Sequence, residues 1–152
     1  MEIIKAAATD FDTVKDITQT TISEIYPHYY SHGAVEFFKS HHNDSNIMSD
    51  ITAGNVFLLI DKGLSVGTIT ISDNHINRLF VRPQCQRRGY GKYLMDYAEG
   101  EVYKQFDSIE LDASLPAKNI YIKRGYREIE YNKILTDNGD YLCYDVMIKY
   151  KQ

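Results

Sequence analysis

A chain of 152 residues, 43% hydrophobic and 25% charged, is sized and composed for one folded domain, and a formal net charge of −4 excludes a broadly basic nucleic-acid-binding protein. Cys85 and Cys143 cannot form a disulfide framework or a cysteine metal cluster, and they read as free thiols in a reducing cytoplasm. The start, Met1-Glu2-Ile3-Ile4-Lys5, is too polar for a signal peptide, and no apolar run approaches the ~20 residues that cross a bilayer.

Glu2 to Ala7 reads as a first strand. Thr9 or Asp10 is placed to cap a helix running to about Ser23, with Phe11, Val14, Ile17 and Ile22 toward the core. Tyr26-Pro27 interrupts that helix, because a residue before proline avoids helical geometry. Ser31 to Ser40 and Asn46 to Ala53 follow as shorter helices. His41-His42 point in different directions on a helix, and no further ligand at metal spacing completes a site, so no metal is expected.

Val56 to Ile60 reads as a buried strand, Asp61-Lys62-Gly63 as a turn and Ser65 to Ser72 as its hairpin partner. Asp73-Asn74 turns the chain into a strand from His75 to Val81. A helix spans about Gly89 to Lys104, with Leu94, Tyr97, Ala98 and Val102 on one face. Then come a strand at Ser108 to Ala113, a short helix opened by Pro116 that ends before Gly125, and a strand from Tyr126 to Leu135. Asp137-Asn138-Gly139-Asp140 is a strong hairpin turn into a last strand, Tyr141 to Ile148. With no repeat, low-complexity tract or linker, residues 1–152 read as a single α/β domain. One helix between the strands at His75 and Ser108 implies a right-handed parallel crossover, whereas the hairpins imply antiparallel pairs, hence a mixed sheet.

The densest chemistry lies in Gln86-Arg87-Arg88-Gly89-Tyr90-Gly91, between the apolar run Leu79-Phe80-Val81 and a helix starting near Lys92. Glycines admit a close approach of backbone to ligand. A helix start presents unpaired amides and a positive dipole end. Together they make a cradle for phosphate or pyrophosphate, with Arg87, Arg88 and Lys92 adding charge. A Walker loop fails, since Tyr93 follows Gly91-Lys92; a dinucleotide loop fails, since Leu94 stands where the third glycine belongs.

The pattern Gln-x-x-Gly-x-Gly, after a strand and Val81-Arg82-Pro83, resembles the coenzyme A pyrophosphate loop of the GNAT superfamily of N-acetyltransferases. A second resemblance lies downstream, from Asp112 to Tyr126, where Tyr121 and Gly125-Tyr126 match the family's Tyr-x-x-x-Gly-Phe/Tyr after a strand end and a short helix. The order of elements is similar along nearly the whole chain. One position departs: Ser114 stands where many relatives carry Asn, which leaves Asn119 as a candidate replacement contact.

This resemblance implies a mostly antiparallel sheet flanked by helices, in which a splayed pair of parallel strands holds acetyl-CoA. It implies transfer of the acetyl group to a primary amine of a small molecule, by direct attack on the thioester in a ternary complex. The cofactor contacts expected by resemblance are Leu79, Phe80, Val81, Gln86, Arg87, Arg88, Gly89, Tyr90, Gly91, Lys92, Ser114, Asn119 and Tyr121. The Leu79 amide is the expected oxyanion donor and Tyr121 the expected general acid toward the thiolate. His75 stands where relatives often place a glutamate base, and an ordinary pKa of about 6.5 suits it for that role, with a water path as its rival. Alternation puts His75, Asn77, Leu79 and Val81 on one strand face. The acceptor side is expected at Tyr26, Tyr29, Tyr30, His75 and Asn77, where aromatic faces can hold an ammonium. A protein or peptide amine is the alternative acceptor, and a non-catalytic acyl-CoA-binding module is the alternative of another class. The expectation is completed by a cytoplasmic protein, with no nucleic-acid or membrane partner, that forms a weak homodimer through an edge strand or sheet face.

Overall fold

The computed structural model describes residues 1–152. Seven strands form one sheet: β1 (Glu2–Lys5), β2 (Val56–Asp61), β3 (Leu64–Ser72), β4 (His75–Val81), β5 (Ser108–Ala113), β6 (Arg127–Leu135) and β7 (Tyr141–Tyr150). Their order is β1-β2-β3-β4-β5-β7-β6. All neighbours are antiparallel except β4 and β5. The helices are α1 (Phe11–Ile25), α2 (His32–His41), α3 (Asp44–Thr52), α4 (Tyr90–Val102) and α5 (Lys118–Lys123). None is long and apolar enough to cross a membrane.

The sheet separates two cores, because alternate residues of its inner strands face opposite ways. Val14, Ile17 and Ile22 of α1 and Ile47 and Ile51 of α3 pack with Val56, Leu58 and Phe80 on one side. Leu94, Met95, Ala98 and Val102 of α4 pack with Leu59, Ile69, Ile109, Leu111 and Met147 on the other. Leu94, Ala98 and Val102 are the stripe that the sequence displays, but Met95 takes the core place expected of Tyr97, which stays half-buried against Phe57.

Two irregularities create the site. On β4, Thr68 pairs with Phe80 and Thr70 with Asn77, so three steps on β4 face two on β3. The extra residue is a bulge at Arg78, whose φ of 44° lies in the left-handed region. It corrects the alternation expected from sequence. Ile76, Leu79 and Val81 all join the α4-side core, while Phe80 joins the other. Asn77 and Leu79 therefore do not share a face.

The second irregularity is the divergence of β4 and β5. They are in register only at His75 and Glu110, where the Glu110 amide donates to the Asn74 carbonyl at 2.9 Å. Beyond that pair the strands separate. A bulge increases local twist, which carries the far half of β4 away from β5. The edge of β4 from Asn77 to Val81 is thus paired with β3 alone. The β6–β7 turn docks on the start of α2, where the Gly33 amide donates to Asp140 Oδ2 at 2.9 Å. A Cβ on Gly33 would collide with the Asn138 and Thr136 side chains, so a larger residue there would push the docked turn aside.

Candidate active site

The turn after β4 is built from its own chain. Gln86 Nε2 donates to the Val81 carbonyl at 3.1 Å and closes the loop entry. Arg82 Nε donates to the Ser65 carbonyl at 2.7 Å and ties the loop base to β3. Arg87 (φ 62°) and Gly89 (φ 86°) then take left-handed conformations, and α4 begins at Tyr90. As a result the backbone N–H groups from Arg87 through Lys92 find no acceptor within the protein, whereas the Tyr93 amide returns to the Gly89 carbonyl at 3.0 Å. A run of open amides at a helix N-terminus, curved by alternating left- and right-handed residues, is a nest for an anion. A Cβ on Gly89 would meet nothing within 4 Å, so the loop's outer surface is open to a ligand. These features fit a diphosphate.

Beside this nest lies a cavity of ≈ 710 Å³. It runs from Arg87, Gly89, Tyr90, Gly91 and Lys92 along the open edge of β4, from Ile76 to Val81, into the gap between β4 and β5. Ser114 and Tyr121 close it above, and Tyr26, Tyr29, Phe37, Phe38, His41 and His42 form its far wall. An unpaired strand edge can hold an extended amide-bearing ligand through main-chain hydrogen bonds.

Tyr121 is 7% exposed and packs edge-to-face on Tyr126, with ring centroids 5.8 Å apart. It lines the cavity without a hydrogen-bond partner in the protein. Burial pushes its pKa up to about 12, with Arg124 opposing. The hydroxyl therefore stays protonated at any working pH.

Of the residues expected from sequence, Tyr26, Tyr29, Asn77, Leu79, Phe80, Val81, Gln86, Arg87, Gly89, Tyr90, Gly91, Lys92, Ser114 and Tyr121 are brought together around this one cavity. Four are not. Tyr30 turns its hydroxyl to accept from the Leu115 amide at 2.7 Å and so positions the loop after β5. Arg88 is exposed outside the cavity, and Asn119 is exposed on α5. His75 lies outside the lining, with Nε2 3.9 Å from Asp112 Oδ1. Lys92, although it lines the nest, pairs with Asp96 at 2.6 Å.

Arg78, His42 and Asp112, which the sequence does not assign to the site, also line the cavity. Asp112 was marked in the sequence by alternation, since Ile109, Leu111 and Ala113 take the core face of β5 and leave Asp112 opposite. The bulge that turns Arg78 toward α2 and α3 leaves no comparable mark. Arg78 is paired with Asp50, and its Nε donates to His42 Nδ1 at 3.0 Å. The neutral His42 ring thus keeps its proton on Nε2. Burial, then the Arg78 charge, then His41 hold the His42 pKa down to about 3.

This has a stability consequence. Between about pH 3 and the ordinary histidine value of 6.5 the unfolded chain protonates His42 and the folded chain does not. The unfolded state binds more protons there, so stability is full above the upper limit and falls as pH drops toward the lower one. Replacing His42 with Gln keeps an acceptor for Arg78 and removes the titration. Urea denaturation should show the wild type losing on the order of a few kcal/mol across this window, and His42→Gln losing markedly less.

The fold and site define an α/β protein that presents an open anion nest, an open strand edge and a buried tyrosine hydroxyl around a single cleft. The sequence of residues 25–139 matches the family described as Acetyltransferase (GNAT) domain, and the chain belongs to that family. Among curated proteins no sequence matches significantly. Solved structures share the fold. A GCN5-related N-acetyltransferase from Rhodopseudomonas palustris superposes with a TM-score of 0.88 at 23% identity, covering 99% of this chain and 95% of that one. PaiA N-acetyltransferase from Thermoplasma acidophilum, in complex with coenzyme A, gives 0.73 at 19%, covering 99% and 98%. YncA from Salmonella typhimurium, described with its cofactor acetyl-CoA, gives 0.71 at 13%, covering 99% and 93%.

Proposed function

We propose that this chain transfers the acetyl group of acetyl-CoA to a primary amine of a small molecule, by direct attack of the amine in a ternary complex. The observation that carries the reading is the run of six open amides, Arg87 to Lys92, continuous through one cavity with the open β4 edge and the Tyr121 hydroxyl. Family membership and the two fold relatives described with coenzyme A or acetyl-CoA support the same donor.

Acetyl-CoA supplies an activated acyl thioester. The chain supplies the rest. The amides of the nest bind the diphosphate, and Arg87 adds charge beside it. The β4 edge orients the amide-bearing arm as an added strand. The Leu79 amide acts as the donor to the acyl oxygen, where one aimed donor contributes about 3–4 kcal/mol. Tyr121 gives a proton to the sulfur. The far wall is aromatic, and a cavity of ≈ 710 Å³ is of a size to take a small acceptor.

Calorimetry with acetyl-CoA, followed by a thiol-release assay over a panel of primary amines, tests this. Binding together with amine-dependent thiol release is the expected result. Binding without release on any amine would make the chain an acyl-CoA-binding module instead.

A further inference from the structure

The charges around the cavity are unevenly distributed. Asp112 is the one carboxylate among the lining residues. Its side chain is 51% exposed, and β5 directs it away from the α4-side core toward the aromatic wall. Asn77, which precedes the β4 bulge and follows the core residue Ile76, looks the same way across the gap. The cations are elsewhere: Arg87 and Lys92 stand at the nest, and Arg78 is taken by Asp50 and His42. His42 adds no charge, because its ring is neutral.

Such a cavity has room and counter-charge for one ammonium. Aromatic faces at Tyr26, Tyr29, Phe37 and Phe38 suit an apolar or aromatic body and attract an ammonium near it. A second ammonium farther along the wall would find no carboxylate among the lining residues, because Asp112 is taken by the first and Asp50 by Arg78.

We propose that Asp112 receives the ammonium of the acceptor, and that the acceptor is a monocationic amine with an apolar or aromatic body. This rests on the acetyl-transfer reading above. The exit for the proton lies directly behind Asp112, where His75 is 32% exposed and reaches solvent. One N–H bond of the ammonium breaks, and its proton passes to Asp112, then by way of a water across the 3.9 Å gap to His75 Nε2 and on to solvent. The freed lone pair forms the C–N bond as the C–S bond breaks. A second proton lost from nitrogen replaces the one that Tyr121 gives to the departing sulfur, so one proton reaches solvent per turnover. His75 accordingly is a positioning and relay residue rather than the group that touches substrate. Asp112, then Glu110, raise its pKa against the opposing effect of burial, and Tyr144 and Glu130 are the next titratable groups on that face.

The test compares 2-phenylethylamine with spermidine as acceptors for the wild type and for Asp112→Asn. The wild type should favour 2-phenylethylamine in kcat/KM by at least about tenfold. Asp112→Asn should lower kcat/KM for it by about 10- to 100-fold while the Kd for acetyl-CoA is unchanged. In parallel, the NMR titration of the His75 ring should move down toward the ordinary histidine value in Asp112→Asn, a readout that needs no turnover. A preference for spermidine overturns the proposal, as does a variant within about threefold of wild type or a His75 titration that does not move. Turnover of neither amine with acetyl-CoA still bound removes the proposed acceptor and leaves the donor half of the reading standing. Failure to bind acetyl-CoA removes both.

Discussion

Gly91→Asp should abolish acetyl-CoA binding without harming the fold. A Cβ at this position meets only Val81 Cγ2 at 3.9 Å, an ordinary contact, so the side chain fits. An acidic residue in the first turn of α4 interacts favourably with the helix dipole, by about 0.3–1 kcal/mol. Thermal unfolding should therefore show an unchanged or slightly raised Tm. The same carboxylate competes for the amides of Arg87 to Lys92 and repels phosphate, so the Kd for acetyl-CoA should rise at least ~100-fold. Gly91→Ala is the matched control: it adds the carbon without the charge and should stay within about threefold of wild type. Stability and binding move in opposite directions in the aspartate variant, which separates a ligand effect from a folding effect. An aspartate variant that binds as well as the alanine variant would show that the diphosphate is not held at this nest.

Tyr121→Phe should lower kcat by about 10²-fold or more and leave the Kd for acetyl-CoA unchanged. The ring carries the packing, against Tyr126 and the α4-side core, and phenylalanine keeps it. The hydroxyl has no partner in the protein, so its loss leaves no buried group unsatisfied and should alter Tm little. Its work is confined to the cavity. Because burial holds the pKa up to about 12, the wild-type pH–rate profile should show no alkaline decline from Tyr121 across the neutral and mildly basic range. Full turnover of the phenylalanine variant at saturating substrates would take Tyr121 out of the chemistry.

The loop and the tyrosine were legible in the sequence because their signals are local. Gly89 and Gly91 after an apolar strand mark a nest wherever the chain goes next, and Tyr121 stands at a fixed spacing from Gly125-Tyr126. The element order was legible for the same reason, since hydrophobic period and turn residues act over short spans. The acceptor side was less so. Tyr26, Tyr29 and Tyr30 sit close together in sequence, yet Tyr30 leaves the cavity to hold the Leu115 amide. His75 occupies the expected strand position, yet it lies outside the cavity lining, and Asp112 from another strand, 3.9 Å from it, lines the cavity instead.

By itself the sequence determined the single α/β domain, the parallel crossover, the anion nest and the buried tyrosine, all products of backbone preference and residue periodicity. Tertiary structure alone decided where β4 breaks its alternation at Arg78, how far β4 parts from β5, and which charges meet in the gap. Those outcomes depend on pairing between residues distant in the chain, such as Phe80 with Thr68 and His75 with Glu110. A one-residue bulge reverses the facing of every side chain beyond it, and no local pattern reports it.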